Sequence, residues 1–235
     1  MNIGNENSLL NDNIYAITKF TTLDFQNHLS AIIWFAGCNM RCNYCYNKDI
    51  VLRKGKIKQE EVLDFLKSRV GMLDGVVLSG GEATLYKDIV KLSKKIKNLG
   101  YDIKLDTNGT NPTIIKRLIK NNLLDFIALD YKANKSNYFS ITKNSDFEKF
   151  NETLTYLIEI DFAFEVRTTY HSSLMSENNI NEIIKDLVSK GYKNRFYLQN
   201  FLYTGEHIGD INEQDHLLDR TKILNIIDIE YRNFR

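Results

Sequence analysis

The chain has few cysteines, a single proline and no excess of charge of either sign. Its 235 residues include three cysteines, and 31 basic residues balance 30 acidic ones to a formal net charge of +1. An odd number of cysteines argues against a disulfide framework, because disulfides use cysteines in pairs. The balanced charge gives no electrostatic footprint for nucleic acid, so we do not expect nucleic acid as the main partner.

Long hydrophobic runs are absent too. No apolar stretch approaches the roughly 20 residues that span a bilayer, so we expect no membrane association. The first twelve residues are polar and do not resemble a signal peptide, which has a cationic start followed by an apolar core. Thiols in a chain with no export signal indicate a reducing cytoplasm as its location.

The three cysteines lie close together in the chain, as Cys38, Cys42 and Cys45 in a C-x₃-C-x₂-C pattern. Such a loop can wrap three thiolates around one metal cluster and leave a fourth position without cysteine. A closed structural zinc site uses four ligands, whereas a cluster that binds something needs an open position. On spacing alone, zinc with a nearby histidine such as His28 and unrelated thiols both remain alternatives.

Strand-length apolar runs alternate with longer stretches of helical period, with no linker between them. Six such alternations predict an α/β fold with a parallel sheet covered by helices, although alternation alone does not distinguish an open sheet from a barrel. We predict strands at 31–36, 76–78, 102–105, 126–129, 163–169 and 195–201, and helices at 59–70, 86–99, 111–119, 146–160 and 180–188.

The cysteine spacing, with aromatic Tyr44 directly before Cys45, resembles the radical S-adenosylmethionine (SAM) superfamily. That resemblance implies that the three cysteines hold a [4Fe-4S] cluster and that SAM ligates its open iron. It also implies a partial (β/α)₆ TIM-type barrel in a single domain, with the chemistry at the carboxyl ends of the strands. We expect residues 28–210 to form this core barrel, 1–27 an N-terminal lead-in segment and 211–235 a C-terminal tail.

The segment after the second predicted strand contains Gly80, Gly81 and Glu82. Paired glycines let a backbone approach a ligand closely, although an isolated Gly-Gly-Glu is more often a simple turn. One strand–helix unit after the cysteines, it looks like the GGEP segment that holds the SAM amino group in this family. Ala83 replaces the usual proline.

Two further motifs resemble the glycyl-radical-enzyme activating branch of the superfamily. Asp106 and Asn108 belong to an LDTNG run, and Asp130 and Lys132 form a D-x-K element whose ends share one side of a strand. The resemblance implies that these residues lie near SAM, with Lys132 neutralising carboxylate charge and the two aspartates able to hold a cation. A turn role for Asp106 and an ordinary salt bridge are the alternatives.

Arg167 lies in the middle of the fifth predicted strand, on the same face as Glu165. A buried arginine is costly unless it is paired, and the R-T-T run here resembles activases, which implies that Arg167 binds the SAM carboxylate. A simple ion pair with Glu165 is the alternative. His207 follows the sixth strand, where some activases place a histidine against SAM; a surface-loop histidine is equally consistent with the sequence.

The segment from Phe20 to Asn39 resembles anaerobic ribonucleoside-triphosphate reductase activating proteins. It departs from them in lacking Pro-Gly after Asp24 and in reading Cys-Tyr-Asn at the third cysteine. The resemblance implies an anaerobic oxidoreductase that reductively cleaves SAM to a 5′-deoxyadenosyl radical and generates a glycyl radical on a partner enzyme. The implied partners are an anaerobic ribonucleotide reductase-like enzyme and a flavodoxin- or ferredoxin-type electron donor.

Two other functions remain open at this point. One is a small-molecule radical SAM enzyme such as 7-carboxy-7-deazaguanine synthase, which neighbouring deazapurine genes would favour. The other is a non-catalytic zinc or iron–sulfur binding module, for which the bound metal would not respond to SAM.

Overall fold

A computed structural model of the chain describes residues 13–234, so residues 1–12 of the predicted lead-in segment lie outside the described residues. The chain forms two compact units, and each unit is built from three separate stretches of the sequence. The first comprises residues 13–38, 49–105 and 117–125; the second comprises residues 39–48, 106–116 and 126–234.

The sheet of the first unit begins with an antiparallel pair and continues with parallel strands. The first strand pairs antiparallel with the second, which pairs parallel with the third, and the third pairs parallel with the fourth. The elements from the start of this sheet are β1 (Ile14–Thr21), β2 (Ser30–Phe35), α1 (Lys48–Leu52), α2 (Gln59–Lys67), β3 (Gly75–Gly80), α3 (Ile89–Asn98), β4 (Asp102–Thr107) and α4 (Pro112–Lys120).

Buried aliphatic side chains on both faces hold this unit together. Ile33 of β2 and Leu78 of β3 are fully buried, as are Leu66 of α2 and Ile96 of α3. Burying each such side chain contributes about 1.5–3 kcal/mol. The near-continuous apolar runs that predicted these strands are what a parallel strand covered on both faces requires.

The second unit contains parallel strands only. Its strands pair in chain order, each parallel to the next. The elements are β5 (Phe126–Asp130), α5 (Tyr138–Thr142), α6 (Phe147–Glu159), β6 (Phe164–Tyr170), α7 (Glu177–Ser189), β7 (Phe196–Asn200) and β8 (Ile229–Arg232).

Strand β6 separates an apolar face from a polar one. Phe164, Val166 and Tyr170 are buried, whereas the alternate residues Glu165 and Arg167 are only partly buried. Successive side chains of a strand point to opposite faces, so the charged residues of β6 share one face of the sheet. This alternation positions the charged site described below.

All six predicted strands and all five predicted helices are confirmed, with ends shifted by a few residues. The sequence interpretation missed β1, β8 and the short helices α1 and α5. β1 lies within the predicted lead-in segment and β8 within the predicted tail, and both pair with strands of the predicted core. The domain boundaries stay a prediction. Among residues 13–234, no helix is both long enough and apolar enough to cross a membrane.

Candidate functional site

The cysteine loop runs from the first unit into the second. Cys38 belongs to the first unit, whereas Cys42 and Cys45 belong to the second, where the backbone N–H of Cys45 donates to Cys42 O at 3.0 Å. None of the three forms a disulfide. Burial raises the pKa of the Cys45 thiol. Three thiols within eight residues match in number and kind the ligand set of an iron–sulfur cluster. Within residues 13–234 the structure brings no three His, Cys, Asp or Glu side chains together as a metal site, so the cysteines are identified as ligands by their spacing in the chain.

His28 is not positioned to complete a zinc site with these cysteines. Its ring bonds Asp102 Oδ2 at 3.1 Å and Gln26 O at 2.8 Å. It precedes β2, and Cys38 follows that strand, so a six-residue strand of about 20 Å separates them within the first unit. The alternative of zinc with His28 is therefore wrong.

The two glycines of the Gly-Gly-Glu segment let it lie against the start of the cysteine loop. Glu82 N donates to Gly37 O at 2.9 Å, and Gly81 N donates to Phe35 O at 2.9 Å. A Cβ on Gly81 would come within 2.0 Å of Gly37 O, and one on Gly80 within 2.4 Å of the Phe35 backbone. Only glycine permits this approach, so the first unit holds a close-fitting backbone cradle beside Cys38.

Glu82 directly follows the two glycines in the chain. The side chain is buried, and its Oε1 accepts hydrogen bonds from the hydroxyl of Thr84 at 2.6 Å and from the Thr84 backbone N–H at 3.1 Å. Ala83, where the family has proline, begins a short 3₁₀ turn, Ala83–Leu85. The carboxylate therefore fixes the turn that follows the glycines.

A cluster of five charged side chains lies on one face of the second unit. Arg167 Nε donates to Asp130 Oδ1 at 3.0 Å, and Arg167 Nη1 lies 3.7 Å from Asp106 Oδ1 and 3.9 Å from Glu165 Oε1. Lys132 Nζ donates to Asp130 Oδ2 at 3.0 Å. The predicted D-x-K and R-T-T residues thus meet, and the ion pair with Glu165 exists beside the shorter one with Asp130.

The charges in this cluster stabilise one another. Burial raises the pKa of Asp130, but Arg167 and Lys132 outweigh it, and the pKa lies below its usual value. Burial lowers the pKa of Lys132, yet the Asp130 carboxylate holds it well above its usual value. The Asp130 carboxylate and the Lys132 ammonium therefore stay charged near neutral pH.

Tyr44 joins the cysteine loop to β5. Its ring is buried, and its hydroxyl donates to the backbone oxygen of Lys132 at 3.2 Å. Burial raises the pKa of Tyr44 well above 10, so the phenol stays neutral and remains a donor. The aromatic residue before the third cysteine thereby ties the loop to the D-x-K element.

Asn108 lies in a hydrogen-bonded network with the cysteine loop. Its Nδ2 donates to Asn39 Oδ1 at 2.9 Å, and Asn39 Nδ2 donates to Thr110 Oγ1 at 2.8 Å. Asn144 Nδ2 also donates to the backbone oxygen of Asn39 at 3.1 Å. The sequence interpretation missed Asn39, although its position between two cysteines was a signal that it could orient the loop.

The segment after β7 also forms hydrogen bonds with the cysteine loop. Ile208 N donates to Cys45 O at 3.1 Å, and Gly209 N donates to Asn43 O at 2.9 Å. His207 Nε2 bonds Ile211 O at 2.6 Å, so this ring nitrogen is engaged within its own segment. A Cβ on Gly209 would meet Asn43 Cα at 2.6 Å, a requirement that nothing in the sequence signalled.

Comparison with known proteins bears on this arrangement. A Methanocaldococcus jannaschii protein, provisionally named a glycyl-radical enzyme activating enzyme, is 35% identical over 73% of this chain and 74% of its own length. The 7-carboxy-7-deazaguanine synthase of Clostridium acetobutylicum is 28% identical over 60% of this chain and 65% of its own length.

Among solved structures, Streptococcus suis SuiB bound to S-adenosylmethionine superposes with a TM-score of 0.66 at 16% identity. The match covers 86% of this chain, which spans about half (52%) of the SuiB chain. This likeness confirms the predicted α/β fold with a parallel sheet and is consistent with an open partial barrel. Residues 32–189 match the Radical SAM superfamily. The chain therefore belongs to the radical SAM superfamily, whose members use a [4Fe-4S] cluster and S-adenosylmethionine.

Proposed function

We propose that this radical SAM enzyme generates a glycyl radical on a partner enzyme, as an activase of the anaerobic ribonucleotide reductase type. The observation that carries the proposal is its 35% identity to a relative named for glycyl-radical enzyme activation. A second M. jannaschii protein with the same kind of name is 27% identical over 64% of the chain. The LDTNG and D-x-K motifs support the same branch.

The residues present fit the two cofactors. Cys38, Cys42 and Cys45 would hold the cluster, because three thiols occupy a loop that offers no fourth cysteine. The backbone cradle at Gly80 and Gly81 would receive the SAM amino group. The two glycines let this backbone pack directly against Phe35 and Gly37, which brings it next to Cys38 in the first unit.

The charged cluster would hold the SAM carboxylate. Arg167 and Lys132 supply two cations on one face, and Arg167 offers a planar fork of N–H donors that suits a carboxylate. Asp106 and Asp130 orient these cations. Asn108 and Tyr44 would act by holding the cysteine loop, and His207 by fixing the segment whose backbone bonds to that loop.

When bound and reduced by one electron, the cluster and SAM supply a primary carbon radical that abstracts hydrogen from a substrate. This chain's residues would orient both cofactors and exclude water. Tyr44 stays a neutral donor and Lys132 stays cationic near neutral pH. We further propose a flavodoxin- or ferredoxin-type protein as the electron donor.

Electron paramagnetic resonance tests this proposal. Anaerobically reconstituted, reduced protein is measured with and without SAM, and then with each glycyl radical enzyme encoded in the same genome. We expect a [4Fe-4S] signal that SAM shifts, followed by a SAM-dependent glycyl radical on one of those enzymes. A SAM-responsive cluster that radicalises none of them, but turns over a deazapurine precursor, would contradict the activase and favour the synthase.

A further inference from the structure

A row of three polar residues crosses the second unit beside the charged cluster. In the strand register, Thr169 of β6 pairs with Gln199 of β7, and Gln199 pairs with Arg232 of β8. Alternation along β6 places Thr169 on the face that carries Arg167, which pairs with Tyr197 of β7. We call Thr169, Gln199 and Arg232 the polar row.

The polar row lies beside Arg167, which in the proposed function holds the carboxylate of SAM. Thr169 is two residues beyond Arg167 toward the carboxyl end of β6, a rise of about 7 Å. Neighbouring strands are about 4.8 Å apart, so the row spans about 10 Å. A glycine residue with its two flanking peptide groups extends about 7 Å, which this span accommodates.

Two members of the row have hydrogen-bonding capacity to spare. Thr169 and Gln199 are only partly buried, and within residues 13–234 neither side chain makes a hydrogen bond or an ion pair. A glutamine amide offers two N–H donors and one carbonyl acceptor, which is the complement of a peptide group. The row therefore presents a donor–acceptor surface to whatever lies against this face.

Arg232 is fixed and its charge is balanced. Its Nε bonds Glu230 Oε1 at 3.0 Å, its Nη2 lies 3.9 Å from Glu165 Oε2, and its guanidinium lies 3.8 Å above the ring of Tyr197. These contacts hold the guanidinium plane in place. Because the group has five N–H donors, donors remain for a further acceptor.

The charges around the row disfavour an anionic substrate. Four carboxylates accompany four cations, and in the proposed function two of those cations, Arg167 and Lys132, are taken by the carboxylate of SAM. A third cation, Arg195, is already paired with Glu230 at 3.0 Å and with Asp228 at 2.7 Å. Arg232 is already paired, so this face has no surplus positive charge for a nucleotide or a carboxylic acid. The carboxylates belong to Asp106, Asp130, Glu165 and Glu230.

We propose that Thr169, Gln199 and Arg232 bind the main-chain amides that flank the reacting glycine of a peptide substrate, an inference that rests on the proposed function. Gln199 would pair with one peptide group, and Thr169 and Arg232 would bond its neighbours. The selected substrate is neutral and extended. In this proposal no residue of the polar row touches the cofactors, so the row contributes to substrate specificity.

The hydrogen transfer that reports on binding balances as follows. One electron from a chemical reductant, dithionite, cleaves the C5′–S bond of SAM and releases methionine. The α C–D bond of a deuterated glycine unit breaks homolytically and a C–D bond forms at C5′, giving 5′-deoxyadenosine and a radical on the glycine α-carbon.

The test compares two small probes on the reconstituted holoenzyme. One is α-deuterated N-acetylglycine N-methylamide, a neutral glycine unit with both peptide groups; the other is deuterated N-acetylglycinate, which is an anion. Deuterium in 5′-deoxyadenosine is measured by mass spectrometry. Saturation-transfer NMR on the oxidised enzyme measures probe binding separately from turnover. We expect the diamide to bind and transfer deuterium, and the anion to do neither.

Variants of Gln199 assign the effect to the row. We expect Gln199→Leu to raise the diamide concentration for half-maximal transfer about tenfold, the loss expected for one well-made amide hydrogen bond. Gln199→Glu keeps the shape and adds a charge, and should weaken the diamide similarly. Gln26→Leu, an exposed glutamine before β2, is the matched control and should leave the value unchanged.

Failure of this inference differs from failure of the proposed function. If the wild-type enzyme forms a glycyl radical on its partner and both Gln199 variants keep the wild-type KM for that partner, the polar row does not bind the peptide. Tighter binding of N-acetylglycinate than of the diamide would also overturn the inference. If no glycyl substrate, protein or probe, accepts a radical, the proposed function itself fails.

Discussion

Arg167 and Asp130 are direct partners across β5 and β6, with Arg167 Nε donating to Asp130 Oδ1 at 3.0 Å. The two side chains are mostly buried, and Lys132 bonds the second oxygen of the same carboxylate. Arg167 and Lys132 thus share the Asp130 carboxylate, within a cluster of two cations and three carboxylates. Removing one member of such a buried pair leaves the other uncompensated, which links cofactor binding to stability here.

Arg167→Ala is expected to weaken SAM binding at least tenfold while leaving the iron content unchanged. The variant should also lose about 3 kcal/mol of stability, the lower end for a broken buried pair, since Lys132 still neutralises Asp130. Equilibrium binding of SAM and chemical unfolding measure the two effects. Arg167→Lys keeps the positive charge but loses the planar fork of N–H donors, so its SAM affinity and its stability should lie between those of the wild type and Arg167→Ala. Unaltered SAM affinity in Arg167→Ala would mean that the arginine serves only the ion pairs.

Cys42→Ala is expected to abolish cluster assembly, because two remaining thiols cannot hold three irons of a cubane. Cys42 is buried, and its sulfur lies 3.9 Å from the sulfur of Met40. Iron and sulfide analysis with the visible absorption spectrum measures the loss after anaerobic reconstitution. Met40→Leu, a buried change in the same loop, is the control and should retain its iron. Stoichiometric iron in Cys42→Ala would remove this cysteine from the ligand set.

Sequence reasoning reached the elements whose signal is local. The strands from β2 to β7 were predictable because their apolar runs are buried, and Arg167 stood out as a charge inside one of them. The edge strands β1 and β8 were not, since their side chains are mostly half-buried and their strand character comes from pairing with β2 and β7.

Contacts made at long range in the chain were equally hidden from the sequence. Asn39 meets Asn108 and Asn144 across gaps of 69 and 105 residues. Position 209 must be glycine because its backbone lies against Asn43, and no spacing in the sequence predicts this contact. Such partners are chosen by tertiary packing, so the motif predicts the cysteine loop but not what holds it.

Ala83→Pro, which restores the family residue, is expected to preserve the fold and to raise the free energy of unfolding by about 0.4–1 kcal/mol. Glu82 has an extended backbone, as the residue before proline prefers, and within residues 13–234 the Ala83 N–H makes no hydrogen bond. The adjacent change Thr84→Pro is the control: it removes the N–H that donates to Glu82 Oε1 and should destabilise. Urea unfolding compares them, and a loss above about 2 kcal/mol in Ala83→Pro would mean that the buried site cannot admit the ring.

The pair of His28 and Asp102 predicts how stability depends on pH. Burial lowers the pKa of His28, but the Gln26 carbonyl and Asp102 outweigh it, and the pKa lies above 6.5. Burial raises the pKa of Asp102, but His28 and Lys97 outweigh it, and the pKa lies below 3.8. The contribution of His28 to the free energy of unfolding is therefore complete below pH 6.5, and it is lost as the pH rises through the pKa of His28 in the folded protein. The contribution of Asp102 to the free energy of unfolding is complete above pH 3.8, and it is lost as the pH falls through the pKa of Asp102 in the folded protein.

His28→Phe should therefore destabilise the protein more at about pH 5.5 than at about pH 8.5, because only the charged imidazolium gains from Asp102. The phenylalanine keeps the ring that stacks on Phe25 at a centroid distance of 3.8 Å, so the pH-dependent part of the loss isolates the charge. Urea unfolding of both proteins across this range measures it. Gln26→Leu, a change at an exposed side chain that does not titrate, is the control and should show no such trend. If the free energy of unfolding lost in His28→Phe is the same at every pH, His28 stabilises the protein by packing and not by its charge.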